Sequence, residues 1–146
     1  ACAAGTYAGY EASTACTECP AGAIAAAPGA SKCVECGGGR FARQRTECAQ
    51  CEIGTVSSGN TTACTPCQAG YIAATKGLST CTACGKGTIE KDLRECVACA
   101  AGTYAGYEAS TACTECPAGA IAAAPGASKC VECGGGRFAR QRTECA

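Results

Sequence analysis

The sequence predicts a small disulfide-rich fold, mostly irregular with short β-hairpins. We expect an elongated tandem-repeat rod with little or no helix and no single hydrophobic core. Cysteine accounts for 18 of the 146 residues, and it recurs at regular intervals. The hydrophobic fraction of 47% is mostly alanine and cysteine, with no Met, no Trp and two Phe. Burying so little large apolar surface, at roughly 25 cal/mol per Å², cannot offset the ordering of the chain, so covalent links are expected.

Internal repetition organises the chain at two levels. Residues 1–49 and 98–146 are identical at every position, and residues 50–97 are a diverged version of the same block. Each block holds three short modules that open and close with cysteine, and two residues link each module to the next. Modules 1 to 9 are bounded by Cys2 and Cys16, Cys19 and Cys33, Cys36 and Cys48, Cys51 and Cys64, Cys67 and Cys81, Cys84 and Cys96, Cys99 and Cys113, Cys116 and Cys130, and Cys133 and Cys145.

Each module reads as a small β-hairpin. A glycine lies three residues after the opening cysteine, and an aromatic or β-branched residue follows two places later, as in Gly22 and Ile24. Glycine permits a positive φ, the next residue favours a strand, and turn residues such as Pro28-Gly29 fill the middle. We expect the return strand to run into the closing cysteine, and the short linkers to make the array stiff. Only Ile89–Arg94 has helical periodicity, and it is too short to stand alone.

The cysteines have several chemical interpretations. Disulfides in consecutive order close each module on itself and leave none of the 18 cysteines over. Crossed disulfides between neighbouring modules are an alternative. The spacing Cys16-x-x-Cys19 followed by Cys33-x-x-Cys36 also fits a four-thiolate zinc site, although 18 cysteines do not divide by four. A redox-active CxxC is a further alternative, but it needs a thiolate at a helix N-terminus in a βαβ setting, which the pattern does not predict.

Composition and motifs argue against catalysis and against nucleic-acid binding. There is no histidine, and the 12 basic and 12 acidic residues balance, so neither an imidazole base nor a basic surface is available. We therefore expect no enzyme, no cofactor and no metal. The run Gly37-Gly38-Gly39 precedes no predicted helix, which argues against a phosphate-binding loop. Arg40, Arg43 and Arg45 surround Phe41, either as a solvated hairpin face or as a contact for an acidic sugar or a neighbouring subunit.

Asn60-Thr61-Thr62 is an N-glycosylation sequon in a predicted hairpin turn, and Asn60 is the only asparagine. A plain turn asparagine is the alternative interpretation. No apolar run approaches the length of a membrane span. The chain has no signal peptide and no initiating Met, so we expect an internal fragment.

The stretch from Cys99-Ala-Ala-Gly-Thr-Tyr to Cys113-Thr-Glu-Cys-Pro-Ala-Gly resembles the ephrin-receptor-like cysteine-rich repeat. It is also similar to the one-disulfide module of tumour necrosis factor receptor repeats. The resemblance implies an extracellular or cell-surface array of disulfide-linked modules without catalytic residues. Similar arrays occur in receptor stalks, in surface antigens of protists and algae, and in flagellar hairs (mastigonemes).

These observations predict an extracellular structural protein, a repeat segment of a glycosylated fibre or surface filament. Its expected partners are covalent glycans and further fibre subunits, including copies of itself. The alternative is a cysteine-rich receptor ectodomain or surface antigen whose turns bind a ligand. The exact copying of 49 residues favours the scaffold, because a ligand site is expected on one distinctive module.

Overall fold

The protein folds into nine two-stranded antiparallel hairpins and contains no helix. The structure, a computed structural model, describes all 146 residues. The strands are β1 (Thr6–Tyr7), β2 (Thr17–Glu18), β3 (Ala23–Ile24), β4 (Val34–Glu35), β5 (Arg40–Arg43), β6 (Glu47–Gln50), β7 (Thr55–Val56), β8 (Thr65–Pro66), β9 (Tyr71–Ile72), β10 (Thr82–Ala83), β11 (Thr88–Lys91), β12 (Glu95–Ala98), β13 (Thr103–Tyr104), β14 (Thr114–Glu115), β15 (Ala120–Ile121), β16 (Val131–Glu132), β17 (Ala139–Arg140) and β18 (Glu144–Cys145). The predicted fold class of disulfide-rich hairpins in tandem, without helix, is confirmed.

The return strands differ from the prediction in the longer modules. In module 2, for example, β3 pairs with β4, and Ile24 lies opposite Val34, which belongs to the linker after the closing cysteine. The loop of that module cannot supply the return strand, because its backbone bonds to another module through Gly29 N–H and the Cys2 carbonyl (2.7 Å). Each such linker is therefore part of a hairpin. Only the short modules 3, 6 and 9 carry the closing cysteine inside the return strand.

The weak helical pattern at Ile89–Arg94 is also not realised. Thr88–Lys91 is the extended strand β11, paired with Glu95–Ala98. Asp92 and Leu93 form the turn between them with φ of 53° and 60°. Paired bonds to β12 satisfy the backbone there, whereas an isolated helical turn of this length would leave most of its groups unpaired.

The packing divides the chain into two compact units. The first comprises Ala1–Pro66 and Thr75–Cys81, and the second comprises Cys67–Ala74 and Thr82–Ala146. The three sequence blocks 1–49, 50–97 and 98–146 describe repetition rather than packing, and they stay a prediction.

Every buried hydrophobic residue in the structure is cysteine or alanine. The largest side chains that are fully buried are all opening cysteines: Cys19, Cys36, Cys51, Cys84, Cys99 and Cys116. Larger apolar residues such as Ile24 and Phe41 are only half-buried. The interior is therefore a series of disulfides flanked by alanine, as expected for a fold without a single hydrophobic core. No segment of the chain forms an apolar helix of membrane-spanning length.

Candidate functional site

The disulfides are the chemical feature that recurs through the whole chain. All 18 cysteines are disulfide-bonded, and none is free. In the eight bonds with described geometry, the paired Cα atoms lie 5.5 to 5.8 Å apart, within the usual range. These bonds are Cys2–Cys16, Cys19–Cys33, Cys36–Cys48, Cys51–Cys64, Cys84–Cys96, Cys99–Cys113, Cys116–Cys130 and Cys133–Cys145.

The oxidised state of the cysteines argues against the zinc site and the redox-active CxxC. A four-thiolate zinc site and a reactive dithiol both require reduced cysteine, and the structure contains none. No group of three or more cysteine or acidic side chains in the structure could hold a metal ion. The arrangement that the structure supports is a covalent framework.

A turn residue of most modules is hydrogen-bonded to the opening cysteine of the module before it. The N–H of Asn60 in module 4 donates to the carbonyl of Cys36 in module 3 at 2.9 Å. Gly77 donates in the same way to Cys51 at 2.9 Å. The set is completed by Gly29 to Cys2, Ala109 to Cys84 and Gly126 to Cys99. Five of the eight junctions between successive modules thus share a backbone bond at the same place.

These turn residues share a left-handed backbone. Asn60 and Ala109 have φ of 55° and 58°, and the equivalent Gly29, Gly77 and Gly126 have φ between 75° and 84°. Glycine adopts this region without steric cost, and asparagine tolerates it better than most residues. The sequence carried this signal, because each of these residues lies four positions before a closing cysteine. The plain turn interpretation of Asn60 therefore has a physical basis that is independent of glycosylation.

In modules 2, 3, 5 and 6, the glycine after the opening cysteine is required by a close backbone contact. A Cβ added to Gly22 would lie 2.1 Å from the backbone carbonyl carbon of Asn60, which belongs to the module two places further on. A Cβ at Gly39 would similarly lie 2.1 Å from the carbonyl oxygen of Gly77. Both glycines also have φ near 80°. Gly39 thus serves packing between modules rather than the phosphate-binding loop that its glycine-rich neighbours resemble.

Asn60 lies in an accessible turn. Its side chain is exposed, and so is that of Thr62, the hydroxyl residue of the sequon. Ser57, which is 4% exposed, holds the turn from inside. Its hydroxyl donates to the Arg40 carbonyl at 2.8 Å and accepts a bond from the Gly59 N–H at 3.1 Å. No sequence signal distinguishes Ser57 from the neighbouring Ser58, which is exposed.

The arginine cluster is largely engaged within the protein. Arg45 Nε donates to the Cys19 carbonyl at 2.8 Å, and its Nη1 lies 3.6 Å from Glu18 Oε2. Arg43 pairs with Glu47, whereas Arg40 makes no ion pair. Arg142 repeats the Arg45 contact on the Cys116 carbonyl at 2.9 Å. In modules 3 and 9, an arginine side chain thus donates to the carbonyl of the opening cysteine of the preceding module. In five other modules, a turn N–H donates to the equivalent carbonyl.

Residues 87–133 match the family described as tyrosine-protein kinase ephrin type A/B receptor-like. Within that match, residues 98–133 are repeated unchanged at residues 1–36. Comparison with curated proteins finds no significant match. Residues 87–133 are therefore similar to the ephrin-receptor-like family, which confirms the resemblance predicted from the cysteine, glycine and tyrosine pattern of that segment.

Proposed function

We propose that this chain is an extracellular structural protein, a repeat segment of a glycosylated fibre or surface filament. The observation that carries the proposal is the turn-to-cysteine backbone bond, which recurs with the same geometry at five of the eight junctions between successive modules. A module attached in this way can be repeated without a new kind of contact, as in other repeat proteins. Disulfides throughout the chain favour an oxidising compartment outside the cell.

Several features support a non-catalytic role. The chain has no histidine, its cysteines are in disulfides, and its ion pairs are exposed surface pairs such as Lys76 with Glu52 at 3.4 Å. The side chains that the structure buries are cysteine, alanine and Ser57, which offer no acid, base or free nucleophile.

The test is peptide mapping of the secreted protein without reduction. We expect a peptide in which Cys51 is linked to Cys64 and Asn60 carries a glycan. Thr62→Ala removes the sequon and is expected to abolish the glycan mass, whereas Thr61→Ala keeps the sequon and the sugar. Free thiols that alkylate without reductant would contradict the proposal. Small-angle scattering of the same protein checks the elongated rod, which stays a prediction.

A ligand-binding module is the second candidate, favoured by the similarity to a receptor-like family. Tyr10 and Tyr107 are 85% and 82% exposed, and they occupy the same position in the two identical blocks. Exposed aromatic rings are frequent anchors in protein interfaces. Two identical sites spaced along one chain would give a multivalent surface rather than a single receptor site.

A further inference from the structure

Tyr107 projects from module 7 into solvent and is 82% exposed. The module that carries it is packed on both sides. The Ala109 N–H donates to the Cys84 carbonyl of module 6 at 2.8 Å. The Ala105 N–H donates to the Ala127 carbonyl of module 8 at 3.1 Å. The ring of Tyr107 is thus exposed although the preceding and the following module both contact the module to which it belongs.

The ring is not needed to form the turn. Tyr10 occupies the same position in module 1 and is 85% exposed. Modules 2, 4 and 5 have Ala27, Gly59 and Thr75 at that position, eight residues after the opening cysteine. A tyrosine packed inside a protein stabilises it through its large apolar area, but a ring exposed to this degree contributes little in that way. Chemistry at the surface explains these two tyrosines better than packing does.

Tyrosine is also the side chain of this protein that is most readily oxidised. The sequence contains no Trp, no Met and no His, and every cysteine is in a disulfide. The thiols, thioethers and indoles that ordinarily compete for an oxidant are thus absent. Of the five tyrosines, Tyr7 and Tyr104 are half-buried and Tyr71 is 36% exposed. An oxidant in solution therefore reaches Tyr10 and Tyr107 first.

We propose that Tyr10 and Tyr107 are sites of oxidative cross-linking, through which copies of this chain are joined by dityrosine. The oxidant is hydrogen peroxide, used by a haem peroxidase. Each of two phenols loses the hydrogen atom of its hydroxyl group, and these two hydrogen atoms and one peroxide molecule yield two water molecules. The two phenoxyl radicals form a carbon–carbon bond between their ortho positions. The ring hydrogens at these carbons move to the oxygens and restore both phenols, so the product is lighter than two tyrosines by two hydrogen atoms.

Two such sites allow each copy to be joined to two others. A copy with one reactive tyrosine can be joined to only one other copy, so its product ends at a dimer, whereas two reactive tyrosines allow the product to grow. The carbon–carbon bond also survives thiol reductants, unlike the disulfides within each chain. This inference rests on the proposed fibre function, to which it adds a covalent link between subunits.

The experiment treats the unreduced protein with a haem peroxidase and hydrogen peroxide, followed by electrophoresis under reducing and denaturing conditions. We expect the wild type to form a ladder of covalent oligomers. Tyr10→Phe and Tyr107→Phe should each end at the dimer, and the double variant should remain monomeric. The control combines Tyr7→Phe with Tyr104→Phe, which removes two half-buried phenols and should leave the ladder unchanged.

A ladder that persists in the Tyr10→Phe and Tyr107→Phe double variant, or one that is lost in the control, overturns the assignment of the sites. A wild type that forms dityrosine within one chain and remains monomeric overturns the link between copies.

The native material shows whether the reaction also takes place at the source. Digestion of the protein isolated from its source should yield a pair of peptides joined by dityrosine at Tyr10 or Tyr107, and a hydrolysate without dityrosine overturns the proposal. Mapping of the disulfides and of the Asn60 glycan decides the fibre function separately. A glycosylated and fully disulfide-bonded protein without dityrosine argues against the cross-link alone, whereas free thiols contradict the proposed function itself.

Discussion

At the scale of the residue, Ser57 shows how much one polar side chain does in a protein with little apolar interior. It is the only buried polar residue, and its hydroxyl contacts the Arg40 carbonyl, the Thr61 hydroxyl and the Gly59 N–H. These contacts join modules 3 and 4 and fix the turn that carries Asn60. Buried polar groups contribute most when every partner is satisfied, as is the case here.

We expect Ser57→Ala to destabilise the protein by about 1–3 kcal/mol, since it leaves the Gly59 N–H and the Thr61 hydroxyl without their partner. The neighbouring Ser58→Ala is the matched control, because Ser58 is exposed and should change stability by less than about 0.5 kcal/mol. Urea unfolding of the unreduced proteins measures both. Equal midpoints for the two variants would show that the Ser57 contacts do not stabilise the fold.

At the scale of the element, the sequence predicts the hairpins better than their pairing. Glycine followed by a β-branched residue marked strands such as Ala23–Ile24 correctly. The return strand was placed too early, because the bond from Gly29 to Cys2 that occupies the loop is a backbone contact between modules. The position four residues before the closing cysteine marks the turn residue, but spacing alone does not identify the carbonyl that accepts its N–H, nor the carbonyl that accepts the Arg45 side chain. The one-disulfide hairpin could be predicted because the modules contain few large apolar side chains, so that a disulfide is the main way to stabilise a short module.

The identical modules 3 and 9 allow the contribution of one disulfide to be measured in two surroundings. Both bonds span a sequence separation of 12, so loss of either removes the same restriction on the unfolded chain, about 3 kcal/mol. Cys36 is 1% exposed and accepts the Asn60 N–H, whereas Cys133 is half-buried and accepts no bond. We expect the double variant Cys36→Ala and Cys48→Ala to lose about 1 kcal/mol more than Cys133→Ala with Cys145→Ala. If both double variants lose the same free energy of unfolding in denaturant, the modules that pack on Cys36 do not add to the stability of its disulfide.

At the scale of the whole molecule, the covalent links replace the hydrophobic core. The buried residues are small, and the largest fully buried side chains are the cysteines themselves. Each closed loop of 12 to 14 residues contributes on the order of 3 kcal/mol. A few such bonds together match the entire 5–15 kcal/mol by which folded domains are normally stable. The disulfides therefore decide whether the fold exists, rather than adding to a fold that exists without them.

Reduction should accordingly unfold the chain in the absence of denaturant. The released thiols would be left beside alanine, and apolar burial of that size does not offset the conformational entropy regained by the chain. We expect a phosphine reductant to make every module sensitive to protease and to abolish amide protection, whereas a metal chelator leaves both unchanged. The chelator separates this framework from the zinc alternative, in which chelation unfolds the protein and reductant alone does not. Amide protection that persists after full reduction would contradict the proposal that disulfides hold the fold. Such protection would require a packed hydrophobic core, which the buried alanine and cysteine side chains do not provide.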